Sequence, residues 1–556
     1  MSRKDRDRCA QACNVAPSDV VFAPRYKDGH PTASLPGSLA IVDSCTWLEF
    51  EGDRSSKFRS VKSTAHFTKL ICNAQEEPRS LAMGCWSCEA CGVVGLAAVV
   101  APLLWLILGF VYGSIRSISP KTPVQGRKVK VTFLHPDLGI GGAENLIVNC
   151  AVALQNKGYE VHIFTSHHDP NHCFRETRGD GPLAKCVVVH GDFLPRTVFG
   201  RLYALCAFVR MVYITLYLFL TQWNTDVFFL DQVSLPIPLL RAYFNRPVYF
   251  YGHYPDKLLC IDRSSILKQV YRWPLDTLEE ATTRAADTMV VNSKYTASVF
   301  EAAFPSLHAR HHLSILYPPV DISTFERPAT LPLPPPSTTS NDNQALLLRA
   351  LSFPALFVSL NRFERKKNIA LAVHALAWLQ TQVSDTVFAT VHLVLAGGYD
   401  PLNAENVAHF DELAELVAAK QLTNHVTFLR SIPDATKLAL LWHARAILYT
   451  PSFEHFGIVP VEAMASGTPV VAVNTGGPLE SIAHDVTGFL CDAEPPAFGH
   501  AMQVLATDAA TATSMGQAGV RRATDRFSMT VFADTLDQHM QRLVVMPPPI
   551  GPTKTD

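Results

Sequence analysis

Short apolar runs alternate with stretches of helical periodicity along most of this chain, and Gly-rich turns fall between them. Lys128–Leu134 is an apolar run preceded by Gly126, which predicts a strand. A Gly-rich loop, His135-Pro-Asp-Leu-Gly-Ile-Gly-Gly-Ala-Glu144, follows it. Residues 145–156 then carry helical periodicity, and 157–165 read as helix end, turn and second strand. Strand, Gly-rich loop, helix and strand open a nucleotide-handling α/β domain. Further strands are predicted at 226–231 and 247–253, and 288–296 is a strand-to-helix junction that Ser293 can cap. The pattern breaks at 326–345, which is rich in Pro and then polar, and resumes at 355–360. Strands at 390–396, 426–429, 446–449 and 469–473, a helix at 369–380 and an edge element at 488–490 make a second α/β unit. A helical pattern over 512–545 ends the periodic part of the chain.

Two apolar stretches are longer than a strand needs. Gly92–Gly113 runs 22 residues without a charge, enough to cross a hydrocarbon core of roughly 30 Å. Arg116, Lys121, Arg127, Lys128 and Lys130 follow it, so positive-inside logic puts the bulk of the chain in the cytosol. Residues 202–220 are apolar except for Arg210, and a central Arg makes a full span costly. This second stretch reads as a domain helix that partly enters the bilayer surface. The predicted order is a poorly ordered leader (1–83), a transmembrane segment with its flank (84–120), a first α/β domain (121–325), a linker or insertion (326–345), a second α/β domain (346–520) and a C-terminal helix and tail (521–556).

Composition narrows the classes. A net charge of -1 leaves no footprint for nucleic acid, and a mean hydropathy of +0.12 favours membrane contact. Seven of the 13 Cys precede residue 92 and the rest are scattered, which is no disulfide framework and points to a reducing compartment. No charged start leads at once into a short apolar run, so no cleaved secretory signal is predicted. Cys85, Cys88 and Cys91 are spaced for a metal or acylation site, but with no second ligand pair they read as isolated thiols.

The candidate chemistry concentrates in the second unit. Glu454 and Glu462 lie eight positions apart, with Gly457 and Pro460 between them. This predicts a short helix over 458–466, Glu454 on the loop before it and Glu462 in its early turns. Free amides at Gly457, Ile458 and Val459 form an anion site, and the carboxylates suit hydroxyl groups. Arg362 and Lys367 fall where a strand ends and a helix begins, which suits a diphosphate. In the first unit, His253 and Asp256 follow a strand, where ligands of open α/β sheets gather. The Gly141-Gly142 pair lets backbone approach a ligand closely. An oxidoreductase with two nucleotide folds would need a GxGxxG and a trailing acid, which are missing. A binding scaffold without turnover would have lost the basic pair or the carboxylates.

From about 128 to 540 the chain resembles the family 4 retaining glycosyltransferases, in the branch that makes α1,3 and α1,6 mannosyl linkages in N-glycan precursor assembly. The strings HPDLGIGGAEN, YGHYPDKLL, SLNRFERKKN, AGGYD and YTPSFEHFGIVPVEAMASGTPVVAVNTGGP carry the resemblance. It implies a GT-B fold, two Rossmann-like domains facing across a cleft, here with an N-terminal extension and a membrane helix. The implied donor is GDP-mannose, with no obligatory cofactor and no metal. The implied acceptor is Man1GlcNAc2-diphosphodolichol, extended through α1,3 and then α1,6 linkages. The implied place is the endoplasmic reticulum membrane with the catalytic domains in the cytosol, and other early N-glycan mannosyltransferases are candidate partners. Carried onto this chain, Arg362 and Lys367 neutralise the leaving diphosphate, helped by Gly141, Gly142 and the amides near Ile458 and Val459. Glu454 grips the sugar, Glu462 the ribose, and His253 lies beside the anomeric carbon. Asn368 stands where related enzymes commonly have Gly. Another lipid-linked or cytosolic retaining GT-B enzyme, with a different nucleotide sugar or acceptor, is the alternative.

Overall fold

A computed structural model describes residues 105–116, 118, 127–198, 200–259, 265–307, 313–332 and 341–545, together with short strands between residues 20 and 48. The chain divides into two compact units, Met1–Leu96 and Ala97–Asp556. Within the first unit, Val20–Phe22 pairs antiparallel with Leu39–Ile41, which pairs with Trp47–Leu48. The Cys85, Cys88 and Cys91 cluster lies outside the described residues.

The second unit holds two parallel sheets. In the first sheet β1 (Lys130–His135), β2 (Glu160–Thr165), β3 (Val187–Val189), β4 (Val227–Asp231), β5 (Val248–Gly252), β6 (Thr288–Val291) and β7 (Ser314–Ile315) take the order β7-β6-β5-β4-β1-β2-β3. In the second, β8 (Ala355–Leu360), β9 (Val391–Gly397), β10 (Val426–Arg430), β11 (Ala446–Tyr449), β12 (Val470–Val473) and β13 (Gly488–Cys491) take the order β10-β9-β8-β11-β12-β13. Both are the doubly wound order in which the strand sequence reverses beside the first strand, and ligands bind outside the carboxyl ends at that switch. The central strands are buried on both faces, as β8 and β4 are along their whole length, which is why they read as unbroken apolar runs.

The helices packed on these sheets include α1 (Trp105–Ile115), α2 (Gly142–Asn156), α3 (Tyr203–Leu220), α4 (Ile237–Phe244), α5 (Ile266–Thr283), α6 (Lys294–Ala303), α7 (Ala370–Gln382), α8 (Ile458–Ala465), α9 (Ala509–Phe527) and α10 (Met529–Val545). The helix Asn341–Leu351 begins inside the stretch predicted as a linker. Ser352, Phe353 and Pro354 lead directly from it into β8, so that stretch is partly a helix of the second domain. The C-terminal helix α10 belongs to the other domain: Phe532, Leu536 and Met540 join the core under β1 and α2. Tyr159 Oη donates to Asp537 at 2.6 Å, and Tyr249 Oη lies 3.0 Å from His539 Nδ1.

Of the two long apolar stretches, the first is described only in part. Residues 92–104 lie outside the described residues. The remainder of that stretch is α1, about 16 Å long at 1.5 Å per residue, and it docks on the first domain. Trp105 stacks on Tyr243 at 4.1 Å between ring centres. A Cβ on Gly113 would stand 1.7 Å from the Pro238 carbonyl oxygen. Arg241, fully buried, donates to the carbonyls of Gly113 (2.8 Å) and Arg116 (2.6 Å) and pairs with Asp287. The α3 helix is long and apolar enough to cross a membrane, and it is the one such helix among the described residues. Met211, Ile214 and Leu218 face the core, and Arg210 points inward to donate to the Pro136 carbonyl at 3.0 Å. Tyr203, Leu205 and Val209 remain exposed. So α3 is a packed domain helix with an apolar outer edge.

Candidate active site

The loop before α8 is shaped by a residue that cannot carry a side chain comfortably. Gly457 caps the helix with φ +79°, and a Cβ there would stand 3.0 Å from the Tyr449 hydroxyl. Glu454, three residues earlier, accepts from Lys367 Nζ at 2.5 Å, and the side chains are 23% and 15% exposed. Burial alone would raise the Glu454 carboxyl, but the Lys367 ammonium outweighs it and holds the group below its ordinary value. Burial and the neighbouring Glu454 push the Tyr449 hydroxyl well up, so it stays a neutral donor. Lys367 reaches this place because β8 ends in a 3-10 turn, Arg365–Lys367, closed by Asn368 at φ +48°. Asn is among the few residues with a side chain that tolerate this left-handed conformation.

Glu462 sits inside α8 and is buried. Lys437 Nζ lies 2.7 Å from each of its carboxylate oxygens, but only Oε1 takes a well-directed bond, and Oε2 is buried with no other donor. The Lys437 ammonium is thus the near counter-charge of both oxygens. Arg362 is displaced from this group. Its side chain is 62% exposed, pairs with Glu364 at 3.1 Å and lies over Gly398. The structure therefore brings Lys367 to Glu454 and leaves Arg362 at the rim.

Across the cleft, the first domain contributes its own strand ends. The registers set Leu134 of β1 beside Leu230 of β4, and Tyr251 of β5 beside Asp231. His135, Asp231 and His253 consequently meet. Asp231 Oδ1 lies 2.7 Å from His135 Nδ1, and Asp231 Oδ2 lies 2.9 Å from His253 Nε2. Both His135 and Asp231 are fully buried. His135 Nε2 is 3.7 Å from Glu144, an ion-pair distance rather than a hydrogen bond. Burial opposes charge on His135, but Asp231 and Glu144 more than reverse it and raise the imidazole to about 10. Burial likewise opposes charge on Asp231, and the two histidines overcome it to hold the carboxyl low. At Gly141 a Cβ would stand 2.2 Å from Glu144 Oε2, the flexible end of that side chain, whereas at Gly142 nothing lies within 4 Å.

The domains are tied beside these groups. Tyr254 stacks on His455 at 3.9 Å and 14°, so the residues next to His253 and Glu454 touch. Ser293 Oγ donates to the His455 carbonyl at 2.5 Å, and also caps α6 as the sequence predicts. Glu480, just after the Gly476-Gly477 turn, accepts from the amides of Lys294 (2.8 Å) and Tyr295 (2.9 Å) and from the Tyr317 hydroxyl (3.0 Å). Asp256 pairs with Arg272 at 2.7 Å, away from the His253 ring. His135, Asp231, Glu144 and Lys437 were not singled out from the sequence. Their only sequence signal is position, since His135 and Asp231 are polar residues ending buried apolar strands. Among the described residues no group of three or more His, Cys, Asp or Glu is placed to hold a metal ion.

Two doubly wound domains whose strand ends converge on one cleft, with a cationic and acidic loop on one wall and a histidine on the other, define a GT-B glycosyltransferase. The profile for Glycosyltransferase Family 4 matches residues 140–324, and that for Glycosyl transferases group 1 matches 351–522. The alpha-1,3/1,6-mannosyltransferase ALG2 of Mus musculus is 47% identical over 418 residues, covering 74% of this chain and 96% of its own length. Its Homo sapiens counterpart is 44% identical over 424 residues, 75% of this chain and 97% of its own. This chain belongs to glycosyltransferase family 4 and is closely related to the ALG2 mannosyltransferases of several eukaryotes. The sucrose-phosphate synthase of Thermosynechococcus elongatus shares the fold, with a TM-score of 0.57 at 21% identity over 75% of this chain and 99% of that one.

Proposed function

We propose that this chain moves mannose from GDP-mannose onto Man1GlcNAc2-diphosphodolichol, first in α1,3 and then in α1,6 linkage, with retention at the anomeric carbon. The observation that carries this reading is the Lys367–Glu454 pair facing His253 across the Tyr254–His455 stack. The relatives named above are mannosyltransferases of both linkages. In this reading Lys367 turns to the donor diphosphate, and Arg362 swings in from the rim as the leaving charge grows. The amides of Gly457, Ile458 and Val459 add donors from the start of α8. Glu454, released from Lys367, holds sugar hydroxyls, and Glu462, whose carboxylate Lys437 shares in the free site, takes a ribose hydroxyl. Gly141 and Gly142 let the first domain close on the diphosphate.

The bond from the anomeric carbon to the diphosphate oxygen breaks. The acceptor hydroxyl oxygen bonds to that carbon from the same face, and its proton passes to the departing phosphate oxygen. No side chain is needed as nucleophile, and the cationic groups supply the charge that a metal would. The exposed apolar residues of α1 (Ile107, Leu108, Val111, Tyr112, Ile115) and α3 (Tyr203, Leu205, Val209) support a place against a membrane. We assign that membrane to the cytosolic face of the endoplasmic reticulum, where a lipid-linked acceptor and other early mannosyltransferases meet the enzyme.

The test supplies membranes carrying the full chain with the one-mannose lipid acceptor and either GDP-mannose or UDP-sugars. Transfer of two mannoses from GDP-mannose alone is expected. Turnover only with a UDP-sugar contradicts the reading in favour of the alternative transferase.

A further inference from the structure

The cluster at the carboxyl ends of β1, β4 and β5 does more than pack. Asp231 is fully buried and both its oxygens are taken, one by each histidine. An ionised carboxylate can only accept hydrogen bonds, so each ring nitrogen that faces it carries a proton. His135 therefore donates through Nδ1, and with its Nε2 turned to Glu144 it is the doubly protonated cation of the group. His253 donates through Nε2, which leaves Nδ1 without a proton in the neutral ring and without a partner among the described residues. The ring is 23% exposed, whereas His135 and Asp231 are fully buried. Its backbone is also held, since Asn292 Nδ2 lies 3.4 Å from the His253 carbonyl.

We propose that Asp231 is a positioning residue that fixes His253 as the Nε2–H tautomer, so that Nδ1 meets the bound donor sugar as a hydrogen-bond acceptor, and that His135 keeps Asp231 charged from behind. This rests on the function proposed above only for the identity of what Nδ1 meets. Three separate strands have to arrive in register for the device to exist. A histidine serving only as a packed ring would need neither a second buried histidine nor a carboxylate between them. Burying an ionised carboxylate is costly unless it is paired, so the pairing is a sign of a function that repays it. Glu144 closes the far end, opposite the charge of His135 and at the first turn of α2, where a negative group is favoured.

The direct test is Asp231→Asn in the full chain. The asparagine oxygen accepts from His135 Nδ1–H, and its amide then points an N–H at His253. Nε2 must accept and the proton moves to Nδ1, so an acceptor in the cleft becomes a donor. The expected result is a fall in kcat of at least about 100-fold with the KM for the nucleotide sugar changed less than about 3-fold, by analogy with the wrong-tautomer effect in other enzymes. A role in folding alone would instead lower the fraction of active enzyme and the melting temperature, with kcat per folded molecule unchanged. The second readout needs no variant at Asp231. In wild-type protein labelled with 15N-histidine, with the His253 signals assigned by their loss in His253→Gln, Nε2 must carry the protonated shift and Nδ1 the unprotonated one. An Nδ1–H tautomer, or Asp231→Asn turning over within about 3-fold of wild type, overturns the proposal. Failure of the wild type to use GDP-mannose would count against the functional reading and leave the tautomer result standing.

Discussion

Replacing Lys367 with Met keeps the stem and deletes the charge that holds Glu454. Removing one partner of a fully buried pair costs about 3–5 kcal/mol, and an exposed pair is worth about 0.2–1 kcal/mol. With side chains 15% and 23% exposed, this pair falls between, and a loss of about 2 kcal/mol is expected. For a domain of this size that is about 4–8 °C in melting temperature. Transfer should suffer separately, by about 100- to 1000-fold, because the leaving diphosphate loses a cation where its charge grows. The two effects part in Lys367→Met combined with Glu454→Gln. Without the stranded carboxylate, stability should return to within about 1 kcal/mol of wild type, a coupling that a double-mutant cycle reads directly. Transfer at saturating donor should stay as low as in the single variant. If the double variant regains transfer along with stability, the pair is structural and the role given to Lys367 is wrong.

Other expectations follow from single contacts. Gly141→Ala must displace the Glu144 carboxylate and loosen its pairing with His135, costing about 1 kcal/mol or more of stability. Gly142→Ala meets open space and should stay within about 0.5 kcal/mol, so equal effects in thermal melts would contradict the packing. His135 is raised from 6.5 to about 10 in the fold. Its stabilisation is therefore fully present below pH 6.5 and is lost as pH rises through about 10. His135→Asn should be less stable at pH 6.5 and should lose less than wild type between pH 6.5 and 9.5 in denaturant titrations; parallel curves would refute this. Glu480→Ala removes an acceptor from two amides of α6 and from Tyr317, and should lower stability by about 1–2 kcal/mol in thermal or denaturant melts.

The strands and both doubly wound domains were legible because buried parallel strands leave unbroken apolar runs, such as Ala355–Leu360, set off by Gly and polar turns. The loop 454–457 was legible too, since Gly457 and Pro460 mark where a helix opens. The triad behind His253 was not. His135 and Asp231 are each one polar residue at the end of an apolar run, and only the pairing of β1 with β4 and of β4 with β5 brings them together. Helical periodicity in 529–545 predicts a helix but does not say that its apolar face crosses back to the first domain's core. The same limit applies to α1. The apolar run 92–113 reads as a membrane segment, and nothing in it says that Arg241, far along the chain, holds the carbonyls of Gly113 and Arg116.

The most direct measurement gives one purified preparation of the full chain GDP-mannose and the synthetic one-mannose lipid acceptor, then maps linkage and anomeric configuration of the product by NMR. The account predicts a three-mannose product with one α1,3 and one α1,6 linkage, the α1,3 mannose appearing first, and no product from Glu462→Ala. A β-linked product, or no addition beyond the starting mannose from GDP-mannose, would contradict it.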